Sequence, residues 1–174
     1  MDYKFNGSGV FFTSDTHFNH TNIIRFCSRP FKDVEHMNET LIANWNRVVG
    51  PDNIVFHLGD FCLGGSAEWT KILKRLNGKI YLIAGNHDMK NLRQNYTKYF
   101  ELITMQMYIE VDKQKIYLNH CPFLCYMIPG SFSAMCIQAG ITPEKISLAF
   151  KCFSLHNMMW ELTITTSLRF HSHR

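Results

Sequence analysis

Four times in this chain a short apolar run leads directly into aspartate, histidine or asparagine. Phe11-Phe12-Thr13-Ser14 runs into Asp15-Thr16-His17, and Val55-Phe56-His57-Leu58 into Gly59-Asp60. Leu82-Ile83-Ala84 runs into Gly85-Asn86-His87-Asp88, and Ile116-Tyr117-Leu118-Asn119 into His120. If each run is a strand, its carboxyl end delivers the polar group, and that is the edge where open α/β sheets bind ligands. Carboxylate, imidazole and amide oxygen together suit cations such as Mn, Fe or Zn. A carboxylate can bridge two such ions about 3.5–4 Å apart, gripping the attacking and leaving oxygens of phosphoryl transfer. One Asp-x-His or Gly-Asp alone is an ordinary turn or cap; four in succession, each after a strand, make a site. His57 falls inside its run and reads as a packed or hydrogen-bonded histidine, whereas His36 falls on a helix and reads as solvated. His20 follows the first motif closely enough to line the mouth of a site.

The residues between these runs set the architecture. A strand over 9–14 and a polar loop precede a helix over 34–49, with Asp33 as N-cap. Val34, Met37, Leu41, Trp45 and Val48 recur at steps of three and four and bury one face, and Gly50-Pro51-Asp52 ends the helix. After a strand over 54–58, Ser66 caps a second helix with the stripe Trp69, Ile72, Leu73 and Leu76, closed by Asn77 and Gly78. A strand over 80–84 completes βαβ units and a largely parallel sheet. From Ile103 the apolar residues alternate (Ile103, Met105, Met107, Ile109, Val111), which predicts one half-buried strand over 103–111. Residues 112–114 turn it into a second strand over 115–119. The expected fold is α/β: a two-sheet β-sandwich flanked by helices.

Composition narrows the function classes. At 46% hydrophobic and 18% charged, the 174 residues suit one packed domain and not a disordered chain. No run approaches the ~20 apolar residues that span a bilayer, and residues 1–9 are polar, without a signal-peptide core. A net charge of +4, spread along the chain without an aromatic-basic motif, gives no nucleic-acid-binding signature. Six cysteines without zinc-ribbon spacing read as reduced thiols of a cytoplasmic protein. No motif assigns an oligomeric state.

Asp15-Thr16-His17, Gly59-Asp60, Gly85-Asn86-His87-Asp88 and His120 together resemble the ordered motifs of the calcineurin-like metallophosphoesterases. Phe12-Thr13-Ser14-Asp15-Thr16-His17-Phe18, Asn22-Ile23-Ile24-Arg25-Phe26-Cys27 and Arg29-Pro30-Phe31 are similar to a small bacterial and phage subgroup. The resemblance runs over about residues 10–126. It implies a metal-dependent hydrolase of phosphomonoesters or phosphodiesters with two divalent ions, Mn first and Fe or Zn as alternatives. It implies that Asp15 and His17 hold one ion, that Asp60 bridges, and that Asn86 and His120 hold the second. A hydroxide shared by the ions would attack phosphorus. His87, with Asn86 and His20 beside it, would meet the substrate phosphate, and His87 would protonate the leaving oxygen while Asp88 fixes its imidazole.

The family pattern closes with Gly-His-x-His, one histidine for each ion, and no such motif follows His120; His156, His171 and His173 have other spacing and neighbours. Reading the tail one nucleotide back supplies it. Met135-Cys136 then forces valine, and Phe132 to Gln138 permit F-G-H-V-H-S around it. Met127-Ile128 forces aspartate, and Met158-Met159-Trp160-Glu161 forces D-V-G. The expectation is therefore a metallophosphoesterase-like domain over 1–126 and an aberrant, frameshifted tail over 127–174 with little regular sheet, so that the C-terminal part of the fold is incomplete. The alternative function is a catalytically impaired metal-binding remnant that lacks the Gly-His-x-His ligands.

Overall fold

The structure is a computed structural model that describes residues 3–92, 99–121, 134–138 and 152–153. Its strands are β1 (Lys4–Phe5), β2 (Val10–Thr13), β3 (Ile54–His57), β4 (Lys79–Ile83) and β5 (Phe100–Thr104). They continue with β6 (Gln106–Val111), β7 (Gln114–Asn119), β8 (Ala134–Gln138) and β9 (Cys152–Phe153). The α-helices are α1 (Thr21–Phe26), α2 (Val34–Val48) and α3 (Ser66–Leu73). One sheet has the order β5-β4-β3-β2-β9 with every pair parallel. The other has the order β1-β6-β7-β8, where only the β6–β7 hairpin is antiparallel.

The parallel sheet lies between two cores, which is why its strands read as unbroken apolar runs. Phe11, Val55, Ile80 and Leu82 pack with Met37, Leu41, Ile42 and Trp45 of α2 and Trp69, Ile72 and Leu73 of α3. Their neighbours in the strands, Val10, Phe12, Phe56 and Ile83, join Met107, Ile109, Val111, Ile116 and Leu118 of the second sheet. Phe12, Phe56, Leu82 and Ile83 are fully buried, each worth about 1.5–3 kcal/mol relative to exposure. The result is the expected α/β sandwich, and its helical layer covers one face of the parallel sheet.

Three local expectations are corrected. The alternation from 103 to 111 is two strands: Ile103 belongs to β5, in register with Leu82, and the antiparallel partner of β7 begins at Gln106. The chain changes sheets at exposed Met105, so Ile103 packs on the helix-side core while Met107, Ile109 and Val111 enter the other. A period of two continues across that crossover because each sheet needs it separately. Ser66 is the first residue of α3 and not its cap. Gly65 holds the cap position, and its N–H donates to Glu68 Oε2 at 2.9 Å. The polar stretch before α2 also contains α1. Asp33 does cap α2, accepting from the His36 N–H at 2.7 Å.

Beyond 126 the described residues include two strands, both at sheet edges. β8 runs parallel to β7, from Lys115↔Ala134 to Asn119↔Gln138, and β9 pairs Phe12 and Thr13 with Cys152 and Phe153. The boundary at 126 and the histidines His156, His171 and His173 lie outside the described residues.

Candidate metal centre

The loops that leave β2 and β3 stay paired after the strands end. Leu58 N–H donates to Thr13 O at 2.7 Å, Asp15 N–H to Gly59 O at 2.9 Å, His17 N–H to Asp60 O at 3.0 Å and Phe18 N–H to Phe61 O at 2.9 Å. Within this stitched segment Asp15, His17 and Asp60 take left-handed φ values of 54°, 49° and 55°. Such conformations cost a non-glycine residue about 1–3 kcal/mol and concentrate at functional sites. The β3 and β4 loops approach closely enough that only glycine fits. A Cβ on Gly59, whose φ is +91°, would lie 2.5 Å from Gly85 N and 2.7 Å from His120 Nδ1, and one on Gly85 would strike Asp60.

These turns bring Asp15, His17, Asp60, Asn86, His87 and His120 together, with Asp60 in the middle. Asp60 Oδ2 lies 3.6 Å from His17 Nε2, which is itself 3.7 Å from Asp15 Oδ1. Asp60 Oδ1 lies 3.7 Å from His120 Nε2 and accepts the His87 N–H at 3.0 Å. His120 Nδ1 donates to Leu58 O at 2.7 Å, which turns Nε2 toward the site. That nitrogen faces Asn86 Oδ1 at 3.1 Å. An imidazole nitrogen and an amide oxygen beside a carboxylate are donor types that suit a divalent cation. On the other side, ligand atoms of Asp15, His17 and Asp60 all lie within 4.8 Å of one another. The Asp15, His17 and Asp60 donors therefore fit a divalent ion. Burial raises the Asp15 carboxyl, but the polar neighbours His17, Ser14 and His120 outweigh this and hold it below the usual value.

His87 stands at the rim. Its side chain is 44% exposed, with Nε2 3.9 Å from Asp60 Oδ2, and its ring meets those of His17 and His20 at 5.3 and 6.0 Å. His20 lines the same mouth, 5.5 Å from the His17 ring, and its buried Nδ1 has no partner. Burial first, then the neighbouring His17, His87 and Arg29, lower the His20 pKa below its usual value.

Asp88 has a different position from the one expected. It is fully buried, and its Oδ2 accepts the N–H groups of Asp60 at 2.8 Å and Gly85 at 2.9 Å while Oδ1 accepts that of Phe61 at 2.9 Å. Its carboxylate clamps the two glycine loops together and is not the orienting partner of the His87 imidazole. Burial raises the Asp88 pKa against the pull of those three amides. Two further side chains support the turns, His57 as the packed, hydrogen-bonded histidine expected and Arg29 in a role the sequence does not assign. His57, fully buried, accepts the Gly59 N–H at Nδ1 (3.2 Å), so its Nε2–H donates to Thr16 Oγ1 at 2.9 Å, which in turn donates to Phe61 O at 2.8 Å. Arg29, also buried, donates from Nη1 to Thr16 O at 2.9 Å and from Nη2 to Asp15 O at 2.8 Å. The sequence places Arg29 in the Arg29-Pro30-Phe31 stretch of the subgroup resemblance but gives it no role, because its partners are backbone carbonyls.

Residues 9–154 match the calcineurin-like phosphoesterase family. The chain is 52% identical over 81 residues to an uncharacterized protein of Methanocaldococcus jannaschii, covering 45% of this chain and 46% of that one. It is 36% identical over 84 residues to the gene 66 protein of Mycobacterium phage L5, covering 47% and 40%. The matches thus span less than half the length of these relatives. A crystal structure of a protein of unknown function from Aquifex aeolicus superposes with a TM-score of 0.56 at 33% identity, over 65% of this chain and 60% of that one. With the family match running from β2 to β9 and the strand-end carboxylates and imidazoles gathered around Asp60, this chain belongs to the calcineurin-like phosphoesterases, a family of metal-dependent hydrolases.

Proposed function

We propose that the chain hydrolyses phosphomonoesters or phosphodiesters with two divalent ions, one held by Asp15, His17 and Asp60 and the other by Asp60, Asn86 and His120. The observation that carries this reading is the Asp60 carboxylate, whose Oδ2 faces His17 while Oδ1 faces His120. Bound there, the ions would supply an activated water and positive charge for the phosphoryl oxygens; Mn suits the mixed oxygen and nitrogen donors, as do Fe and Zn. The protein's own contribution is placement. Asp88 and the two glycines set the loops that carry Asp60 and Asn86. His87 Nε2, open to solvent at the rim, reaches a substrate phosphate and gives its proton to the leaving oxygen. His20, whose ring lies 6.0 Å from that of His87, and Asn86 would contact the same phosphate. Among the described residues no helix is long and apolar enough to cross a membrane, and reduced thiols fit work in the cytoplasm.

Hydrolysis of p-nitrophenyl phosphate and of its diester, with and without added Mn, tests this. Metal-dependent turnover is expected. His87→Ala should lower it by roughly 10²–10⁴-fold on an alkyl ester, and by less on p-nitrophenyl esters, whose leaving group scarcely needs the proton. Bound metal should stay unchanged. Loss of the metal would move His87 into the ligand set, and undiminished turnover on the alkyl ester would remove it from the mechanism.

A second reading rests on the missing Gly-His-x-His: residues 127–174 are a shifted frame, and the chain is a metal-binding remnant with weak turnover. The valine forced by Met135-Cys136 and the D-V-G forced by residues 158–161 support it. The nucleotide sequence across codon 126 decides it. If restoring the frame leaves both metal affinity and turnover as they were, this reading fails.

A further inference from the structure

The Asp15-Thr16-His17 turn holds two left-handed non-glycine residues, and something must keep them there before any ion arrives. Besides His57, which holds the Thr16 hydroxyl, a second buried side chain is committed to the backbone of that turn. Arg29 follows α1 and is only 8% exposed. Its two terminal nitrogens donate to consecutive carbonyls, Asp15 O and Thr16 O, and Nη1 also touches Met37 Sδ of α2 at 3.6 Å. Among the described residues it forms no ion pair, and its buried Nε has no partner. A guanidinium buried without a carboxylate partner is costly, so a purely structural role is poorly served by it. The planar fork, by contrast, suits two adjacent carbonyls that a single ammonium cannot bridge in the same geometry.

We infer that Arg29 is a positioning residue of the metal centre: its fork on the Asp15 and Thr16 carbonyls presets the turn, so that Asp15 and His17 face Asp60 before an ion binds. This rests on the ligand set proposed above. It makes two demands. Removing the fork should loosen the turn while leaving the strands beneath it, and keeping the charge without the fork should not restore it.

The test uses the full chain with Arg29→Lys and Arg29→Met. In the metal-free protein, hydrogen exchange of the His17 and Phe18 amides, which close the turn on Asp60 O and Phe61 O, should quicken at least tenfold in both variants. The β3 and β4 amides should keep their protection. Calorimetric titration with Mn should show affinity lowered about 10–100-fold, the usual cost of losing a group that orients a ligand, and kcat should fall more than KM changes. Equal loss of protection throughout, or normal Mn affinity in Arg29→Lys, would reduce Arg29 to a fold residue and overturn the inference. If neither variant folds, exchange of the Arg29 Nη protons in the wild type decides instead: protection is expected, and free exchange overturns the proposal. Absence of Mn binding in the wild type would sink the ligand reading itself, and the metal-free exchange result would still stand or fall independently.

Discussion

His57 shows how one side chain ties the fold to pH. Burial pushes its pKa down to about 3, with Asp15 raising it and His17 and His120 lowering it, against about 6.5 in an unfolded chain. The unfolded state therefore binds the proton first, and the stability that neutral His57 provides is present above about pH 6.5 and lost as pH falls toward 3. Urea unfolding between those limits should show stability falling with acid, and His57→Gln should flatten the fall. Equal pH slopes in the two proteins would count against a neutral buried His57. Asp88 sets a second expectation at this scale. Asp88→Asn turns one of its acceptors into a donor facing amide N–H groups, so it should cost about 2–3 kcal/mol and weaken metal binding through Asp60. Unfolding curves and Mn titration of that variant check both. The sequence made the packed state of His57 readable, since it sits inside an apolar run. It gave no sign of Arg29's partners or of the Asp88 clamp, because backbone carbonyls and amides carry no residue signature.

At the scale of elements, the strand ends were legible because buried parallel strands are continuous apolar runs, and polar residues begin where the sheet edge meets solvent. α2 was legible from its stripe and from Asp33. The break between β5 and β6 was not, because period-two patterning is the same in both sheets and Met105 fits it while standing 50% exposed. The hairpin joining β6 and β7 is tight: Asp112 and Lys113 have φ values of 48° and 67°, and Asp112 Oδ1 accepts the Gly7 N–H at 3.1 Å. Two successive left-handed residues suit a type I′ turn, where glycine is favoured second. Lys113→Gly should therefore raise stability by roughly 0.5–1 kcal/mol, read as a higher urea midpoint with unchanged slope. A lower midpoint would mean that the lysine side chain contributes more than its backbone conformation costs.

For the whole molecule, the sandwich exists to hold four loops at one edge, and those loops converge on a single carboxylate. Patterning reveals the strands but not that convergence, which depends on strand order and on two glycines that let the β3 and β4 loops touch. Among the described residues β8 and β9 lie at the outer edges of their sheets, and the strands between the edges come from residues before 121. On the proposed ligand set Asp60 serves both sides of the site. Calorimetric titration of the full chain with Mn, set beside Asp60→Ala, tests it most directly. Two bound ions are expected in the wild type, with loss of high-affinity binding at both positions in the variant. One ion still bound at wild-type affinity in Asp60→Ala would show that the two sides are held independently and would contradict it.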